Sequence, residues 1–258
     1  MENVQAAAAM LADLRLRENG VAPPLDDLPA AIRPADIEAA YAVQAALRLR
    51  LAPRLGGVAG WKIGCTSAVM QKYLGVDHPC TGTLFSGQIH HCGARLRASA
   101  YRRLGLECEI AVRLGADLSE GADPAAAVAG VMCSVEIVEE RFTDFSACAK
   151  ETLIADDFFS IGCVLGAESA LDDLPPLASL KGRFTVDCAP GPEGTGAAIL
   201  GDPLAALGWL AARRATEGGL KAGEVITLGS VVKTIYPVAG QRIEARFDGL
   251  RAVTIEVV

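Results

Sequence analysis

The chain is poor in the residues that most often advertise chemistry. It holds three histidines in 258 residues, none with a partner histidine at ligand spacing, so a histidine-built zinc site has little to draw on. His90 and His91 adjoin Cys92 in GQIHHCG and read as turn or surface residues; His78 lies in the loop GVDHPCTG, from where it can approach a site. The eight cysteines include no C-x-x-C pair and read as reduced, mostly buried small apolar residues. Basic runs are missing too. A net charge of -7 and a pI near 5.1 argue against nucleic acid and anionic membrane surfaces as partners, and small molecules are expected instead. No apolar stretch long enough to span a membrane is free of charges. The N-terminus MENVQAAAAMLADLRLRENG lacks a basic n-region and reads as an amphipathic helix, not a signal peptide, so a cytoplasmic location is expected. There is no G-x-S-x-G elbow. GPEGTG (191–196) is not set between strand and helix as a phosphate loop requires, and its glycines read as a turn.

What is present divides the chain in two. Residues 1–55 read as an N-terminal helical segment: a first helix over about 3–18 stopping before Gly20, a connector VAPPLDDLP, and a second helix starting near Pro34 with Ile37, Ala40, Tyr41, Leu47 and Leu51 on one apolar face. From residue 56 to 258, short apolar runs punctuated by glycine read as strands, and Asp248-Gly249 favours a type I′ hairpin turn. One helix interrupts them, with Asp202 as N-cap, Pro203 at its first position and Gly218-Gly219 at its exit. An α+β fold follows, mixed and mainly antiparallel, with helices on its outside.

The run LECEIAVRL (106–114) has Leu106, Cys108, Ile110, Val112 and Leu114 on one face of a strand and Glu107 and Glu109 together on the other. Two readings are open: one wet sheet face carrying solvated acids, or two like charges held close by a cation. VMCSVEIVEERF adds Glu136 inside its apolar part, whereas Glu139 and Glu140 lie at its polar end and read as solvated. Three carboxylates from two strands would suit a hard divalent cation such as Mg²⁺ or Mn²⁺. In GWKIGCTS, Lys62 interrupts an apolar run, either as a snorkelling side chain with its ammonium in water or as a buried catalytic group. An apolar setting would lower its pKa.

The order GWKIGCTS, LGVDHPCTGTLFSG, GLECEIAVRL, SVEIVEERF, IADDFFSIGCVLG, LGDPLAALGWLA, LKAGEVITLGS resembles the 2-keto-4-pentenoate (2-hydroxypenta-2,4-dienoate) hydratase branch of the fumarylacetoacetate hydrolase superfamily, over nearly the whole chain. That resemblance implies a β-roll or barrel of the superfamily's type with flanking helices. It implies that Glu107, Glu109 and Glu136 bind Mg²⁺ or Mn²⁺, that Lys62 works beside the metal with Asp77 as a second catalytic candidate, and that Ile63, Gly64, Ser160 and Ser230 line the substrate pocket. The implied reaction, in the breakdown of aromatic compounds, adds water to a small 2-hydroxydienoic or 2-oxo-enoic acid to give a 4-hydroxy-2-oxo acid, and a homo-oligomer is expected. The chain departs from the branch at Cys80, where many hydratases carry an acid, and at Gly201-Asp202-Pro203, where the helix usually begins G-H-P. Decarboxylation of a 2-oxo-3-enedioate, or C–C hydrolysis of an acylpyruvate with His78 activating water, remains an alternative. A non-catalytic subunit binding 2-oxo acids is a further one, against which the retained glutamates and Lys62 argue.

Overall fold

The structure, a computed structural model, describes residues 1–16 and 21–258. Two helices lead, α1 (Glu2–Arg15) and α2 (Ile37–Leu55). The stop expected for α1 before Gly20 lies outside the described residues. Helix α2 begins three residues past Pro34 because Asp36 is its cap, accepting from Ala39 N at 2.8 Å. Ala40, Tyr41, Leu47 and Leu51 are buried as the spacing predicted. Short helices α3 (Ala68–Leu74), α4 (Pro124–Ala127) and α5 (Lys150–Ala155) follow, then α6 (Pro203–Arg213), which Asp202 caps through Leu204 N. Among the described residues, no helix is long and apolar enough to cross a membrane.

The strands form two open, mixed sheets. The larger runs β2 (Cys80–Phe85), β1 (Val58–Gly64), β10 (Val225–Ser230), β5 (Leu104–Leu114), β6 (Val128–Glu139), β7 (Ser160–Leu165), β3 (Ile89–His91). The smaller runs β4 (Ala94–Leu96), β12 (Val253–Val257), β11 (Arg242–Phe247), β8 (Lys181–Val186), β9 (Ala189–Thr195). Only the pairs β1–β10, β3–β7 and β4–β12 are parallel among the named strands.

Alternation along β5 and β6 builds both sides of the large sheet. Leu106, Cys108, Ile110 and Val112, with Val131, Cys133, Val135 and Ile137, share one core with Phe184, Ile243, Ala245, Phe247 and Ile255 of the small sheet. A slip of one residue would drive Glu107 and Glu109 into that core, so burial fixes the register. On the opposite face, Leu84, Ala111, Met132, Cys163 and Leu165 meet in a second apolar cluster. That contact brings β2 toward β7 and curls the large sheet into a roll, which among the described residues is not closed by strand pairing. The acidic side chains therefore lie inside the roll.

Two local expectations need correction. GPEGTG is not a turn: residues 189–195 form the edge strand β9, where Pro190 and Pro192 are tolerated because the outer side needs no ladder donor. The hairpin at Asp248-Gly249 forms, but with positive φ at Gly249 alone (85°), whereas a type I′ turn needs it at both central residues.

Candidate active site

In the β5–β6 pair, Glu107 stands directly opposite Glu136 and Glu109 opposite Ser134. Each glutamate offers one oxygen, and these three atoms lie within 4.8 Å of one another. Glu109 and Glu136 are each 1% exposed, which removes the solvated-face reading. Glu107 Oε1 accepts from Thr234 Oγ1 at 2.6 Å and Glu109 Oε2 from Gly229 N at 3.2 Å. Glu109 Oε1 and Glu136 Oε1 have no hydrogen-bond donor. Burial, reinforced by the neighbouring carboxylates, raises the pKa of Glu107 and lifts that of Glu109 well above the usual carboxylate range. Like charges held together with lone pairs unspent are a poor solution for a sheet interior and a good one for a hard divalent cation, which takes oxygen ligands. Cys108 is turned away, its Sγ 3.9 Å from the Arg183 carbonyl across the inter-sheet core. Glu139 and Glu140 stand outside the group: Glu139 accepts from Arg102 N at 2.8 Å, and Glu140 pairs with Arg103 at 2.5 Å.

Lys62 reaches the same place from β1. Trp61 and Ile63 on either side of it point into the inter-sheet core, so Lys62 faces the interior of the roll. It is 3% exposed, which excludes snorkelling. Its Nζ lies 3.5 Å from Glu136 Oε1, donates to the Phe158 carbonyl at 3.4 Å and sits 5.6 Å from the centre of the Phe158 ring. The stem has room because its cross-strand partner is Gly82, where a Cβ would approach Lys62 Cε to 3.1 Å. Burial pushes the lysine's pKa down, as the sequence suggested, but Glu136, Glu107 and Glu109 together reverse that and leave it raised. The carboxylates thus keep the lysine in its ammonium form.

The Phe158 carbonyl comes from an unusual turn. Asp157, Phe158 and Phe159 have φ of 56°, 47° and 66°, a left-handed run without glycine that costs roughly 1–2 kcal/mol per residue. Buried ion pairs hold it. Arg141 clasps Asp156 through Nε and Nη2, at 3.0 and 2.7 Å, and donates to the Phe159 carbonyl at 3.2 Å. Arg15 from α1 meets Asp157 at 2.7 Å. None of Arg15, Arg141, Asp156, Asp157 or Thr234 was singled out from the sequence; two adjacent acids inside the apolar run IADDFFSIG were the available signal.

The other sequence candidates are dispersed. Ser160 is 1% exposed with its Oγ unpartnered. Gly64 stays beside the lysine, where a Cβ would come 3.2 Å from Lys62 Nζ. Ile63 is fully buried in the core, so only its backbone faces the site. The Ser230 hydroxyl donates to the Val232 carbonyl at 2.8 Å. Asp77 projects into solvent, its side chain 96% exposed, and so does not join the buried carboxylates. His78 stacks against Trp209 of α6 at 6.4 Å and bonds the Pro79 carbonyl. Cys80 is fully buried among Tyr41, Phe142 and Ile154. Its hydrogen bond with Cys65, with burial adding to it, raises its pKa, and the same bond lowers that of Cys65.

A cleft with about 430 Å³ of open space, part of it continuous with solvent, leads to Glu107. Met70, Val138, Phe145, Phe159 and Tyr236 line it, with Thr234 and Glu140 as its other polar residues.

An acidic triad and a buried lysine inside an incompletely closed β-roll define a class, and comparison with known proteins places the chain within it. The model of the fumarylacetoacetate (FAA) hydrolase C-terminal family matches residues 77–258. A 2-keto-4-pentenoate hydratase of Burkholderia vietnamiensis (strain G4 / LMG 22486) is 32% identical, with 97% of this chain and 96% of that protein aligned. The TodF product hydratase of Pseudomonas putida (strain F1) is 34% identical over 85% of this chain and 83% of its own length. Among solved structures, 4-oxalocrotonate decarboxylase from Pseudomonas putida G7, complexed with magnesium and adipate, superposes with a TM-score of 0.90 at 26% identity, covering 100% of this chain and 98% of that one. The chain belongs to the fumarylacetoacetate hydrolase family, in its 2-keto-4-pentenoate hydratase branch.

Proposed function

We propose that the protein is a divalent-metal-dependent hydro-lyase that adds water to a small 2-hydroxydienoic acid, giving a 4-hydroxy-2-oxo acid in the breakdown of aromatic compounds. Glu107, Glu109 and Glu136 would hold Mg²⁺ or Mn²⁺, ions whose preference for oxygen ligands matches this donor set. When bound, such a cation supplies Lewis acidity toward the oxygens of a 2-oxo acid. Lys62 keeps a proton at Nζ beside Glu136 and delivers it as the dienol becomes the keto form, the work of a positioned general acid. Proton transfer is assigned to Lys62 and not to solvent-exposed Asp77. Phe145, Phe159 and Tyr236 shield the carbon chain from bulk water, while Ser160 Oγ remains free to bond substrate.

The observation that favours hydration over the family's decarboxylation is the lining of the cleft. Among the described residues, no lysine or arginine lines it, and the nearby Arg103, stacked 3.7 Å from the centre of the Tyr236 ring, is already engaged by Glu140 at 2.5 Å. A second carboxylate at the far end of an enedioate would meet mostly apolar side chains and a cation already paired with Glu140, whereas a short alkyl tail asks for no charged partner. The hydrolase reading finds no water-activating histidine at the carboxylates, since His78 stacks on Trp209. The test is to incubate Mn²⁺-loaded protein with 2-hydroxypenta-2,4-dienoate and with a 2-oxo-3-enedioate, identifying products by mass spectrometry. Gain of one water by the dienoate is expected. Release of CO₂ from the enedioate with no hydration of the dienoate would replace the proposal with the decarboxylase.

A further inference from the structure

The turn that supports Lys62 is tied down from outside the roll. Three successive left-handed residues, Asp157 to Phe159, persist only where surrounding contacts over-determine them. Arg141 is one tie. The other is Arg15, the last residue of α1, whose Nη1 meets Asp157 Oδ2 at 2.7 Å while Nη2 donates to the Ser160 carbonyl at 3.1 Å. One guanidinium thus spans the turn from its first left-handed residue to the residue beyond its last. The Arg15 side chain is 2% exposed and that of Asp157 1%. The second oxygen of Asp157 accepts from Thr83 N at 3.1 Å, which pins the turn to β2, the neighbour of the strand that carries Lys62. A Cβ on Gly82 would lie 3.1 Å from both Asp157 Cβ and Lys62 Cε, so the two side chains pack over the same glycine.

We infer that Arg15 is a positioning residue for Lys62, its fork fixing Asp157–Ser160 so that the carbonyl and ring of Phe158 hold the ammonium against Glu136. An arginine suits this because a planar fork reaches two acceptors at once, whereas a lysine offers a point charge. The N-terminal helix thereby becomes part of the active site, although Arg15 lies 142 residues from Asp157 and ahead of the family match that begins at residue 77. The inference rests on the proposed catalytic role of Lys62.

The test is a double-mutant cycle on hydration of 2-hydroxypenta-2,4-dienoate by Mn²⁺-loaded protein. Arg15→Lys keeps the charge facing Asp157 but cannot span both acceptors. It is expected to lower kcat about tenfold, a modest misplacement of a reacting group, with KM and calorimetric Mn²⁺ affinity within about twofold of the parent. In a Lys62→Met background the same change is expected to alter the residual kcat less than about twofold, because the group it positions is gone. Thermal unfolding establishes that each variant is folded. If Arg15→Lys is unstable, Arg15→Gln with Asp157→Asn leaves no unpaired charge, and the same pattern is expected from it. An unchanged kcat in the single variant, or an equal loss in both backgrounds, overturns the inference. Retention of kcat by Lys62→Met alone is a different failure, that of the reading of Lys62 itself.

Discussion

Replacing Glu109 by glutamine should strengthen the cation-free protein and weaken its hold on metal, two effects of opposite sign from one atom. Its carboxylate is 1% exposed and has an oxygen within 4.8 Å of oxygens from Glu107 and Glu136. At that separation two full charges repel by about 3.5 kcal/mol at an effective dielectric near 20, and Lys62 offsets only part of the total. The glutamine amide of Glu109→Gln keeps an oxygen for Gly229 N and replaces a carboxylate oxygen that has no donor with a neutral N–H. A net gain of about 1–3 kcal/mol is reasonable for removing a group that must either bury a poorly compensated charge or take up a proton on folding, and for a chain of this size each kcal/mol is worth roughly 2–4 °C. The pH dependence fixes the sign. Because the pKa of Glu109 is raised above its ordinary 4.5, the native state keeps a proton that the unfolded chain releases. Stability therefore falls as pH climbs from that ordinary value through the folded one. The Glu109→Gln variant lacks this slope, so the difference in melting temperature should widen between pH 5 and pH 8 in chelator-treated protein. With Mn²⁺ added the order should reverse: loss of an outer-shell partner costs a metal site about 10–100-fold, and loss of an anionic ligand should cost at least as much. A variant that melts lower without metal and titrates Mn²⁺ as tightly as the parent would refute this account of the cluster.

Glu107→Gln and Glu136→Gln should each weaken Mn²⁺ binding in calorimetric titration, while Glu139→Gln, at the strand end on Arg102 N, should change it little. Lys62→Met should lower kcat by ~10²- to 10⁴-fold, the usual worth of a positioned acid–base group. Its Mn²⁺ affinity should not fall, since a cation 3.5 Å from Glu136 opposes the metal; loss of metal binding with kcat intact would reverse the assignment.

The parts of the site that follow a period were legible in the sequence. Alternation alone put Glu107 and Glu109 on one face of β5 and turned Cys108 away, while the apolar setting of Glu136 set it apart from Glu139 and Glu140 at the polar end of the run, which are half-buried and ion-paired where solvated acids were expected. Lys62 stood out as a charge within an apolar run, though its raised pKa depends on carboxylates from two other strands. The supporting turn was not legible. Its ties reach from Arg15 and Arg141 to Asp157 and Asp156, and no local pattern reports an ion pair across 142 residues. The exposure of Asp77 escaped for a related reason, since a loop has no period from which to read direction. Two prolines disguised β9, whose place at a sheet edge is a tertiary fact.

The central claim is that Glu107, Glu109 and Glu136 hold a divalent cation inside the roll, within reach of Lys62. Anomalous diffraction from a crystal soaked in Mn²⁺ tests it most directly. One strong peak ligated by an oxygen of each glutamate is expected, absent from crystals of Glu136→Gln soaked alongside. A peak at some other group of acids, or none between β5 and β6 at saturating Mn²⁺, would contradict the claim.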